Sequence, residues 1–419
     1  MRAAVIVVGD LGRSPRMQHH ARALASGVDV DFIGHAGAKL AESLTENPRI
    51  AVHPLTESRL RFRVGRPTLV FSILAAVDAL VNSVRLGAAL LAIPRPDLLL
   101  VQNPPAIPTL PVAWMIARLR RARFVIDWHN LGYSILALRL GRRHVVVRLA
   151  RWVEMVSARL ADGHLSVSQG LSRFLTERFR IRGVQPLYDW PLSTLAPPNA
   201  VERDRIRQEL FASLVVRESQ ATGFIVCPAG WTANEDFDLV IEAVQQLEEH
   251  VRGWEAGDSS RRFPDLVILV TGDGLRRVEF ERRFAGLSAR RAQLRTRWLD
   301  RKDYPRIVGS ADVGLCLHRS SSGLDIPMKV ADLFAAGLPV CALDYGACLA
   351  ERVRHGVNGL LFSNGRQLAE LLFELFQAFP RESPLLDRLR KGIRRSAHPT
   401  WEEAWATEAR QVLLTGDVA

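Results

Sequence analysis

The sequence predicts an α/β fold made of two doubly wound, Rossmann-like domains that face each other across a cleft. Short apolar runs that alternate with helix-forming stretches occur in two successive series, and the proline-rich stretch 186–199 separates them. The length of 419 residues also exceeds what one hydrophobic core usually serves. The predicted domains therefore span residues 1–190 and 191–395.

The first series opens with the apolar run 5–8, which is typical of a parallel strand buried on both faces. A polar turn at 9–16 follows, and a helix is predicted to about residue 25. Because ligands of doubly wound sheets bind at the carboxyl ends of strands, this turn is a candidate binding loop. Further strands of the series are predicted at 28–33, at 50–52, at 98–102 and from residue 124.

The stretch Leu69–Ala92 is long and apolar enough to raise the question of a membrane span. Its polar residues recur at helical spacing near one face; they are Ser72, Asp78, Asn82 and Arg85. This pattern favours an amphipathic helix over a span.

A basic stretch at 138–152 follows the polar loop that ends the strand from residue 124. It combines five arginines with valines, leucines and Trp152, a pattern that predicts a basic amphipathic helix. Two interpretations stay open for it. Such a helix can lie on an anionic membrane surface, or it can be an ordinary surface helix with a solvated arginine face.

The second series contains apolar runs at 224–228, 266–270 and 313–317. The first of them leads into a polar loop at 230–236, before a helix predicted to about residue 250. The last leads into the loop and helix at 319–332, the most informative stretch of the chain.

The stretch 319–332 predicts a strand, a polar glycine loop and a helix with Pro327 in its first turn. Free backbone N–H groups and the charge of Lys329 at such a helix start can hold a phosphate. Asp325 and Asp332 offer acceptors for sugar hydroxyls. The alternative interpretation is an ordinary strand-to-helix turn that a Ser or Asp caps.

The net charge of +12 rests mainly on arginine and favours partners that carry phosphate or an anionic surface. Nucleic acid is the less favoured partner, because no zinc-ligand spacing, recognition-helix motif or RNA-binding motif occurs. The motifs GxGxxG and GxxxxGKS/T are also missing from the sequence. Their absence speaks against a nicotinamide dehydrogenase and a P-loop ATPase.

The four cysteines have neither metal-site nor CxxC spacing, which indicates a reducing compartment. The chain leads at once into a predicted strand, which argues against a secretory signal peptide. We therefore expect a cytoplasmic protein. The apolar stretch Leu69–Ala92 and the basic stretch at 138–152 add the expectation of peripheral contact with the cytoplasmic face of an anionic membrane.

Six short segments, taken in order along the chain, resemble the chitobiosyldiphosphodolichol β-mannosyltransferase family. They are 9–17, 102–105, 126–130, 231–237, 303–305 and 320–329, and Trp401-Glu-Glu-Ala-Trp405 resembles the closing segment of that family. Its members add the first mannose to the lipid-linked precursor of N-glycans. The resemblance implies a GT-B fold with an acceptor-binding N-terminal domain and a nucleotide-sugar-binding C-terminal domain. Residues 396–419 would form a helix that returns to the first domain.

Two departures refine this resemblance. In the wider group of GT-B glycosyltransferases two glutamates lie eight positions apart, whereas here Leu324 takes the first place, Asp332 the second, and Asp325 follows Leu324. The narrower family has this same arrangement. The N-terminal membrane anchor of eukaryotic members is missing, which, with the heavy use of Arg and Ala, favours a bacterial relative.

The resemblance implies transfer of mannose from GDP-mannose, with inversion, to a hydroxyl of a lipid-diphosphate-linked saccharide, without a metal or cofactor. Inversion in one displacement needs a base for the acceptor hydroxyl and a group that stabilises the departing diphosphate. His129 is the expected base, Asp10 is the second choice, and Asp127 could orient the histidine. The alternative roles of His129 are contact with a sugar hydroxyl and packing of its loop.

For the departing diphosphate we expect Lys329 and the helix start at Ser321, Ser322 and Gly323, with Gly12 and Arg13 contributed by the first domain. Trp231 is expected to line the donor site. Asp325 and Asp332 would hold hydroxyls of mannose or ribose, although structural capping remains open for Asp325.

Two other functions stay open from the sequence. One is a retaining GT-B glycosyltransferase that uses another nucleotide sugar. The other is a protein of the same fold that binds a nucleotide sugar or a lipid-linked glycan without catalysis.

Overall fold

The chain divides into two compact units. In the computed structural model, the described residues are 1–56, 69–191, 197–217, 221–232, 234–274, 276–300, 302–380, 383–396 and 398–415. The first unit comprises Met1–Asp189 together with Trp401–Ala419, and the second comprises Trp190–Thr400. The proline-rich stretch 186–199 contains the boundary between them, and its residues 192–196 lie outside the described ranges.

The described part of the first unit contains a parallel sheet of seven strands. In chain order they are β1 (Arg2–Asp10), β2 (Asp29–His35), β3 (Ile50–Leu55), β4 (Leu98–Asn103), β5 (Arg123–Trp128), β6 (Gly163–Ser166) and β7 (Val184–Pro186). They lie side by side in the order β3-β2-β1-β4-β5-β6-β7. The apolar runs predicted at 5–8 and 98–102 fall inside β1 and β4, whose centres are fully buried. The order reverses between β1 and β4, as in a doubly wound sheet.

Helices cover the two faces of this sheet. They are α1 (Pro15–Leu24), α2 (Glu42–Thr45), α3 (Leu69–Ala92), α4 (Thr109–Arg120), α5 (Gly132–Leu140), α6 (Val145–Leu160) and α7 (Gln169–Phe174), the last continued by a wider turn at Leu175–Phe179. The predicted helix Leu69–Ala92 is confirmed with these bounds. No helix formed by the described residues combines the length and apolar character that crossing a membrane requires.

The prediction of one continuous helix at 138–152 is wrong. The structure places two helices there, because α5 ends at Leu140 and α6 begins at Val145. Gly141 has a φ of 83°, a left-handed conformation that glycine adopts readily and that ends a helix. His144 then caps α6, since its Nδ1 accepts the N–H of Val146 at 3.2 Å. The arginines of this stretch are therefore divided between two helices and their connection.

The second unit contains, in its described residues, a parallel sheet of six strands. They are β8 (Thr222–Pro228), β9 (Asp265–Thr271), β10 (Ala292–Arg297), β11 (Val313–Cys316), β12 (Val340–Leu343) and β13 (Gly359–Phe362), arranged as β10-β9-β8-β11-β12-β13. Alternate residues of β8 face opposite sides: Ile225 and Cys227 pack in one core cluster, Phe224 and Val226 in another. Burial on both faces explains the unbroken apolar run in the sequence.

The helices of the second unit pack on both faces of its sheet. They are α8 (Ala200–Ser213), α9 (Asp238–Ala256), α10 (Arg277–Ala285), α11 (Asp303–Gly309), α12 (Met328–Ala335), α13 (Gly365–Phe376) and α14 (Pro384–Arg395). Pro327 stands at the N-cap of α12 instead of inside its first turn. All four cysteines are buried in this unit and form no disulfide.

The chain finally returns to the first unit with α15 (Trp401–Ala404) and wider helical turns at Trp405–Ala409 and Gln411–Thr415. The indole of Trp405 donates a 3.0 Å hydrogen bond to Nδ1 of His20 on α1. Arg123, at the start of β5, donates to the carbonyl oxygens of Val412 and Leu413 at 2.8 and 3.0 Å. These bonds tie the closing segment to the first sheet and its helix α1.

Candidate active site

The topology of each sheet points to a ligand-binding edge. Doubly wound sheets bind ligands at the carboxyl ends of their strands, where the strand order reverses. In the first unit this point lies between β1 and β4, with β5 next to β4. In the second unit it lies between β8 and β11. Most of the predicted site residues lie at the carboxyl end of one of these strands or in the loop directly after it. Lys329 and Asp332 lie on α12 instead.

In the first unit, the structure brings His129 against Asp127. Nε2 of His129 lies 2.7 Å from Oδ2 of Asp127, and the imidazole keeps 21% of its surface exposed. The Asp127 side chain is fully buried. Nε and Nη2 of Arg16, itself buried, each donate to one oxygen of this carboxylate at 2.8 Å. The carboxylate thus has a cation on one side and an accessible imidazole on the other.

The electrostatics of this group determine the protonation of His129. Burial would raise the pKa of Asp127, but the charges of Arg16 and His129 and the hydrogen bonds from His129 and His20 hold that pKa well below its usual value. An ionised carboxylate only accepts hydrogen bonds. Nε2 of His129 therefore carries a proton, and in the neutral imidazole Nδ1 is the atom that can accept another one.

Further groups fix the position of Arg16 and Asp127. Nη1 of Arg16 donates to the carbonyl oxygen of Leu187 and to Oδ1 of Asp189, each at 2.8 Å. Nε2 of His20 lies 3.2 Å from Oδ2 of Asp127. Burial lowers the pKa of His20, against the hydrogen bond to Asp127, so the ring is neutral. No pattern in the sequence had indicated a role for Arg16, His20 or Asp189.

Asp10 follows the buried part of β1 and caps the helical turn Leu11–Arg13. Its Oδ1 accepts the N–H of Gly12 at 2.8 Å, and its Oδ2 accepts the N–H of Ala38 at 3.0 Å. Nε of Arg13 lies 3.5 Å from Oδ2, and the Arg13 side chain is 82% exposed. Both carboxylate oxygens therefore hold the loop in place, which is a structural role for the second choice of base.

Gly12 occupies a position that no larger residue fits. A Cβ atom there would lie 2.1 Å from the carbonyl oxygen of Ala38. That separation is far below van der Waals contact, so the loop between β1 and α1 requires glycine for a close approach of two backbone segments.

In the second unit, Lys329 on α12 forms an ion pair with Glu235, which follows β8. The Glu235 residue is buried, and its carboxylate also accepts the N–H groups of Gly230 and Thr232, both at 3.0 Å. Burial would raise the pKa of Glu235, but the charge of Lys329 lowers it below the usual value. Lys329 is thereby held at the start of α12 with 28% of its side chain exposed.

The loop after β11 is organised around Asp325. Nε2 of His318 lies 3.0 Å from Oδ2 of Asp325, and the hydroxyl of Ser320 donates to Oδ1. The Ser320 hydroxyl in turn accepts the N–H of Gly323 at 2.8 Å, and Gly323 has a φ of 75°. Asp325 is 9% exposed and holds the side chains of His318 and Ser320, whereas the N-cap residue of α12 is Pro327, which has no side-chain cap hydrogen bond.

Ser321 and Ser322 are half-buried members of the same loop. The hydroxyl of Ser322 accepts the N–H of Leu324 at 3.1 Å. Asp332 lies one turn beyond Lys329 on α12, partly buried, and Oδ2 of Asp332 accepts the hydroxyl of Tyr304 at 3.3 Å. Burial, together with the charge of Asp332, raises the pKa of Tyr304 well above its usual value, so this phenol stays a hydrogen-bond donor.

Trp231 does not form an exposed wall as expected. It is 3% exposed and stacks on Phe237 with the ring centroids 4.4 Å apart. Its backbone φ of 53° is uncommon for a residue other than glycine. This conformation turns the indole into the core, where it supports the loop that carries Glu235.

Glu235 and His318 also belong to the site, although no local pattern of the sequence points to them. The main chain brings them together, since Glu235 and His318 form an isolated antiparallel bridge and the N–H of Arg319 donates to the carbonyl oxygen of Asn234 at 2.7 Å. Within the described ranges, no group of three His, Cys, Asp or Glu side chains is arranged to hold a metal ion.

Known protein families match both units of the chain. Residues 12–185 match the family model "Glycosyl transferase 4-like domain", and residues 223–378 match "Glycosyl transferases group 1". The chitobiosyldiphosphodolichol beta-mannosyltransferase of Mus musculus is 36% identical over 430 residues, which cover 96% of this chain and 86% of the mouse protein. The chain belongs to the chitobiosyldiphosphodolichol beta-mannosyltransferase family.

The family assignment confirms the resemblance drawn from the six short segments, and the chain is a glycosyltransferase. The Homo sapiens member is 34% identical over 434 residues, covering 96% of this chain and 90% of the human one. A protein named UDP-glycosyltransferase TURAN, of Arabidopsis thaliana, is 35% identical over 448 residues, covering 97% of this chain and 95% of its own.

Solved structures show that this member of the beta-mannosyltransferase family has the GT-B fold. WaaG, a glycosyltransferase involved in lipopolysaccharide biosynthesis, superposes with a TM-score of 0.64 at 13% identity, covering 99% of this chain and 100% of WaaG. Anabaena HepE in complex with UDP and glucose gives 0.63 at 15% identity, covering 94% and 95%. The predicted fold class is thereby confirmed.

Proposed function

We propose that this glycosyltransferase moves mannose from GDP-mannose, with inversion, to a hydroxyl of a lipid-diphosphate-linked saccharide. The relatives named chitobiosyldiphosphodolichol beta-mannosyltransferase support the sugar and the acceptor class, because their similarity extends over nearly the whole chain. The same extent supports an enzyme over a protein that only binds its ligand.

The observation that carries the proposal is the hydrogen bond between the accessible His129 and the buried, ionised Asp127. An inverting transfer needs a base that removes the acceptor proton while the sugar bond breaks. With Nε2 engaged by Asp127, Nδ1 of His129 is the proton-accepting atom in this proposal. The adjacent carboxylate would stabilise the imidazolium that forms.

The donor is assigned to the edge of the second sheet. Lys329 would stabilise the charge that develops on the departing diphosphate, and the N–H groups near Ser321, Ser322 and Gly323 would add hydrogen bonds. Glu235 holds the ammonium at this edge. Gly12 and Arg13 remain proposed diphosphate contacts, and Asp332 a proposed hydroxyl contact. We propose no metal or cofactor for this step.

A second candidate concerns the donor. The Arabidopsis relative carries a name that specifies a UDP-glycosyltransferase, and it is as similar to this chain as the mannosyltransferases are. A GT-B enzyme that uses another nucleotide sugar, with retention, is therefore the alternative.

One experiment tests both candidates. Purified protein is given GDP-mannose, UDP-glucose, UDP-N-acetylglucosamine and UDP-galactose in parallel, with polyprenyl-diphosphate chitobiose and polyprenyl-diphosphate N-acetylglucosamine as acceptors. The product linkage is then determined by NMR. A β-linked mannoside from GDP-mannose is expected. An α-linked product, or turnover only with a UDP sugar, would reject the proposal in favour of the alternative.

We also propose peripheral contact with an anionic membrane through the outer face of α6. This face exposes Val145, Leu149 and Trp152 by 71%, 51% and 55%, and the exposed Arg148 and Arg151 lie beside them. Apolar side chains rimmed by arginine fit the boundary between lipid headgroups and acyl chains. The four buried thiols fit a reducing compartment, so we assign the enzyme to the cytoplasmic face.

A further inference from the structure

Glu154 is a buried carboxylate on the inner face of α6 that the proposed reaction does not use. It is 0% exposed and lies among the buried residues Val147, Ala150, Ser157 and Ala158 of the same helix. No cation forms an ion pair with it among the described residues, and its Oε2 has no hydrogen-bond partner there. A carboxylate buried without a cation destabilises the fold unless hydrogen bonds compensate for the lost hydration.

Glu154 connects two chain segments at the carboxyl edge of the first sheet, the end of β4 and the start of α5. Its Oε1 accepts the N–H of Gly132 at 2.7 Å and the side-chain amide of Asn103 at 3.0 Å. Gly132 is the first residue of α5, directly after the loop that follows β5, and Asn103 ends β4. A Cβ atom at position 132 would lie only 2.9 Å from Oε1, so the backbone approaches Glu154 as closely as glycine permits.

Asn103 extends this connection to the residue proposed as the base. Its side-chain amide also donates to the carbonyl oxygen of Asn130 at 3.2 Å, and its own carbonyl oxygen accepts the N–H of His129 at 2.8 Å. Three hydrogen bonds thus hold the backbone of residues 129–132, at the N–H of His129, the carbonyl oxygen of Asn130 and the N–H of Gly132. Glu154 accepts the bond from Gly132 directly and also accepts the side-chain amide of Asn103. Asp127 fixes only the imidazole ring of His129.

We propose that Glu154 is a positioning residue of the acceptor site, which fixes the main chain of the His129 loop on α6. The proposal rests on the proposed function for its kinetic part, since it assigns His129 to the acceptor. Its structural part, that one side-chain oxygen at position 154 holds the loop, does not depend on the role of His129.

Three variants separate the oxygen from the charge. Glu154→Gln keeps Oε1 as an acceptor and removes the charge. Glu154→Met fills similar space without an acceptor. Glu154→Asp keeps the charge but withdraws the oxygens by one methylene, and it serves if the Met variant does not fold. The control is Asp31→Asn, another buried carboxylate of the first unit, which contacts Arg2 and His53 on the amino-terminal half of β2.

The first measurement is hydrogen exchange of the peptide segment 129–134 by mass spectrometry. We expect Gly132 and its neighbours to exchange at least about 10-fold faster in Glu154→Met and Glu154→Asp, because the buried hydrogen bond from the N–H of Gly132 to Oε1 is lost. Glu154→Gln and Asp31→Asn should leave the exchange of this segment unchanged. Unchanged exchange in both Met and Asp variants would overturn the proposal whatever reaction the enzyme performs.

The second measurement determines kcat and the KM for the nucleotide sugar separately in the proposed reaction. We expect Glu154→Met to lower kcat about 10- to 100-fold with little change in the KM for the nucleotide sugar, because a small displacement of a base costs rate and not donor binding. Glu154→Gln should restore kcat to within about threefold of the wild type. Loss of kcat in Gln equal to that in Met would show that the charge acts and would overturn the positioning role.

Discussion

The buried guanidinium of Arg16 donates two hydrogen bonds of 2.8 Å to the carboxylate of Asp127, whose Oδ2 also lies 2.7 Å from Nε2 of His129. This pair keeps a negative charge in a place where burial alone would neutralise it. The ring of His129 therefore has a fixed orientation and a defined proton-accepting nitrogen.

The first prediction concerns this ring. His129→Ala should lower kcat about 100- to 10,000-fold, since a positioned general base contributes a factor of that order. Asp127→Asn should also lower kcat, because an amide can donate to Nε2 and so shift the imidazole proton to Nδ1. Steady-state kinetics with the KM for the donor measured separately is the test. A few-fold loss in His129→Ala, with full loss in Asp10→Asn, would transfer the role of base to Asp10.

The second prediction concerns the ion pair of Lys329 and Glu235. Lys329→Met should reduce kcat/KM for the donor about 100-fold or more, because a charge near the departing diphosphate is lost. It should also destabilise the fold by about 1–3 kcal/mol, since Glu235 is left buried without its cation. The double variant Glu235→Gln with Lys329→Met should recover much of this stability and none of the activity. Lys391→Met, at an exposed lysine of the same unit, is the control and should change neither.

The third prediction concerns pH and stability. Burial raises the pKa of Glu154 to about 7, opposed by hydrogen bonds from Asn103, Gly132 and Tyr133. A raised pKa in the fold means that the stability from this group is fully present below about pH 4.5 and is lost as the pH rises through 7. The phenol of Tyr133 interacts electrostatically with Glu154, and its ring lies under the guanidinium of Arg151.

Glu154→Gln removes this titration. The free energy of unfolding of the wild type, relative to that of Glu154→Gln, should fall by about 3 kcal/mol between pH 4.5 and pH 8.5. Urea unfolding at both pH values measures it. A pH-independent difference between the two proteins would contradict the raised pKa.

The fourth prediction concerns the outer face of α6. Trp152→Ser should weaken cosedimentation with vesicles that contain phosphatidylglycerol at least about 5-fold, because an aromatic anchor leaves the interface. Trp298→Ser is the matched control in the second unit, where Trp298 is 62% exposed. Equal binding of both variants would argue against α6 as the contact surface. Binding should also weaken as salt is raised, since arginine supplies part of the attraction.

The fifth prediction concerns the loop after β1. Gly12→Ala should destabilise the protein by about 1–3 kcal/mol, because the added methyl group collides with the carbonyl of Ala38. Gly27→Ala is the matched control, since no atom lies within 4 Å of a Cβ at that position. Thermal unfolding followed by circular dichroism compares the two. Equal stability of the variants would mean that the loop relaxes at little cost.

The sequence predicted the strands and the topology better than the interior of the site. Apolar runs such as 5–8 and 98–102 signal strands of a parallel sheet directly, because both faces are buried. The Arg16–Asp127 pair joins residues 111 positions apart, and Trp405 meets His20 across 385. A local sequence pattern cannot predict contacts between residues so far apart in the chain.

Some errors have local causes that the sequence shows only in hindsight. Trp231 was expected to line the donor site, but its side chain is buried and stacks on Phe237. The break between α5 and α6 depends on Gly141, which a helix interior tolerates at some cost and a helix end favours. Glu235 could not be recognised from the sequence because its partner Lys329 lies 94 positions away on α12.

The return of the chain to its first unit has a consequence for how the molecule is made. Trp405 reaches His20, and Arg123 binds the carbonyl oxygens of Val412 and Leu413, yet all of the second unit is translated between them. A ribosome therefore delivers the hydrogen bond from Trp405 to His20, the histidine beside Asp127, only after the whole second unit has been synthesised and has had time to fold. A nascent chain that has not yet reached Trp401 lacks these bonds, so its first unit forms without the support that the returning segment gives to His20 and Arg123.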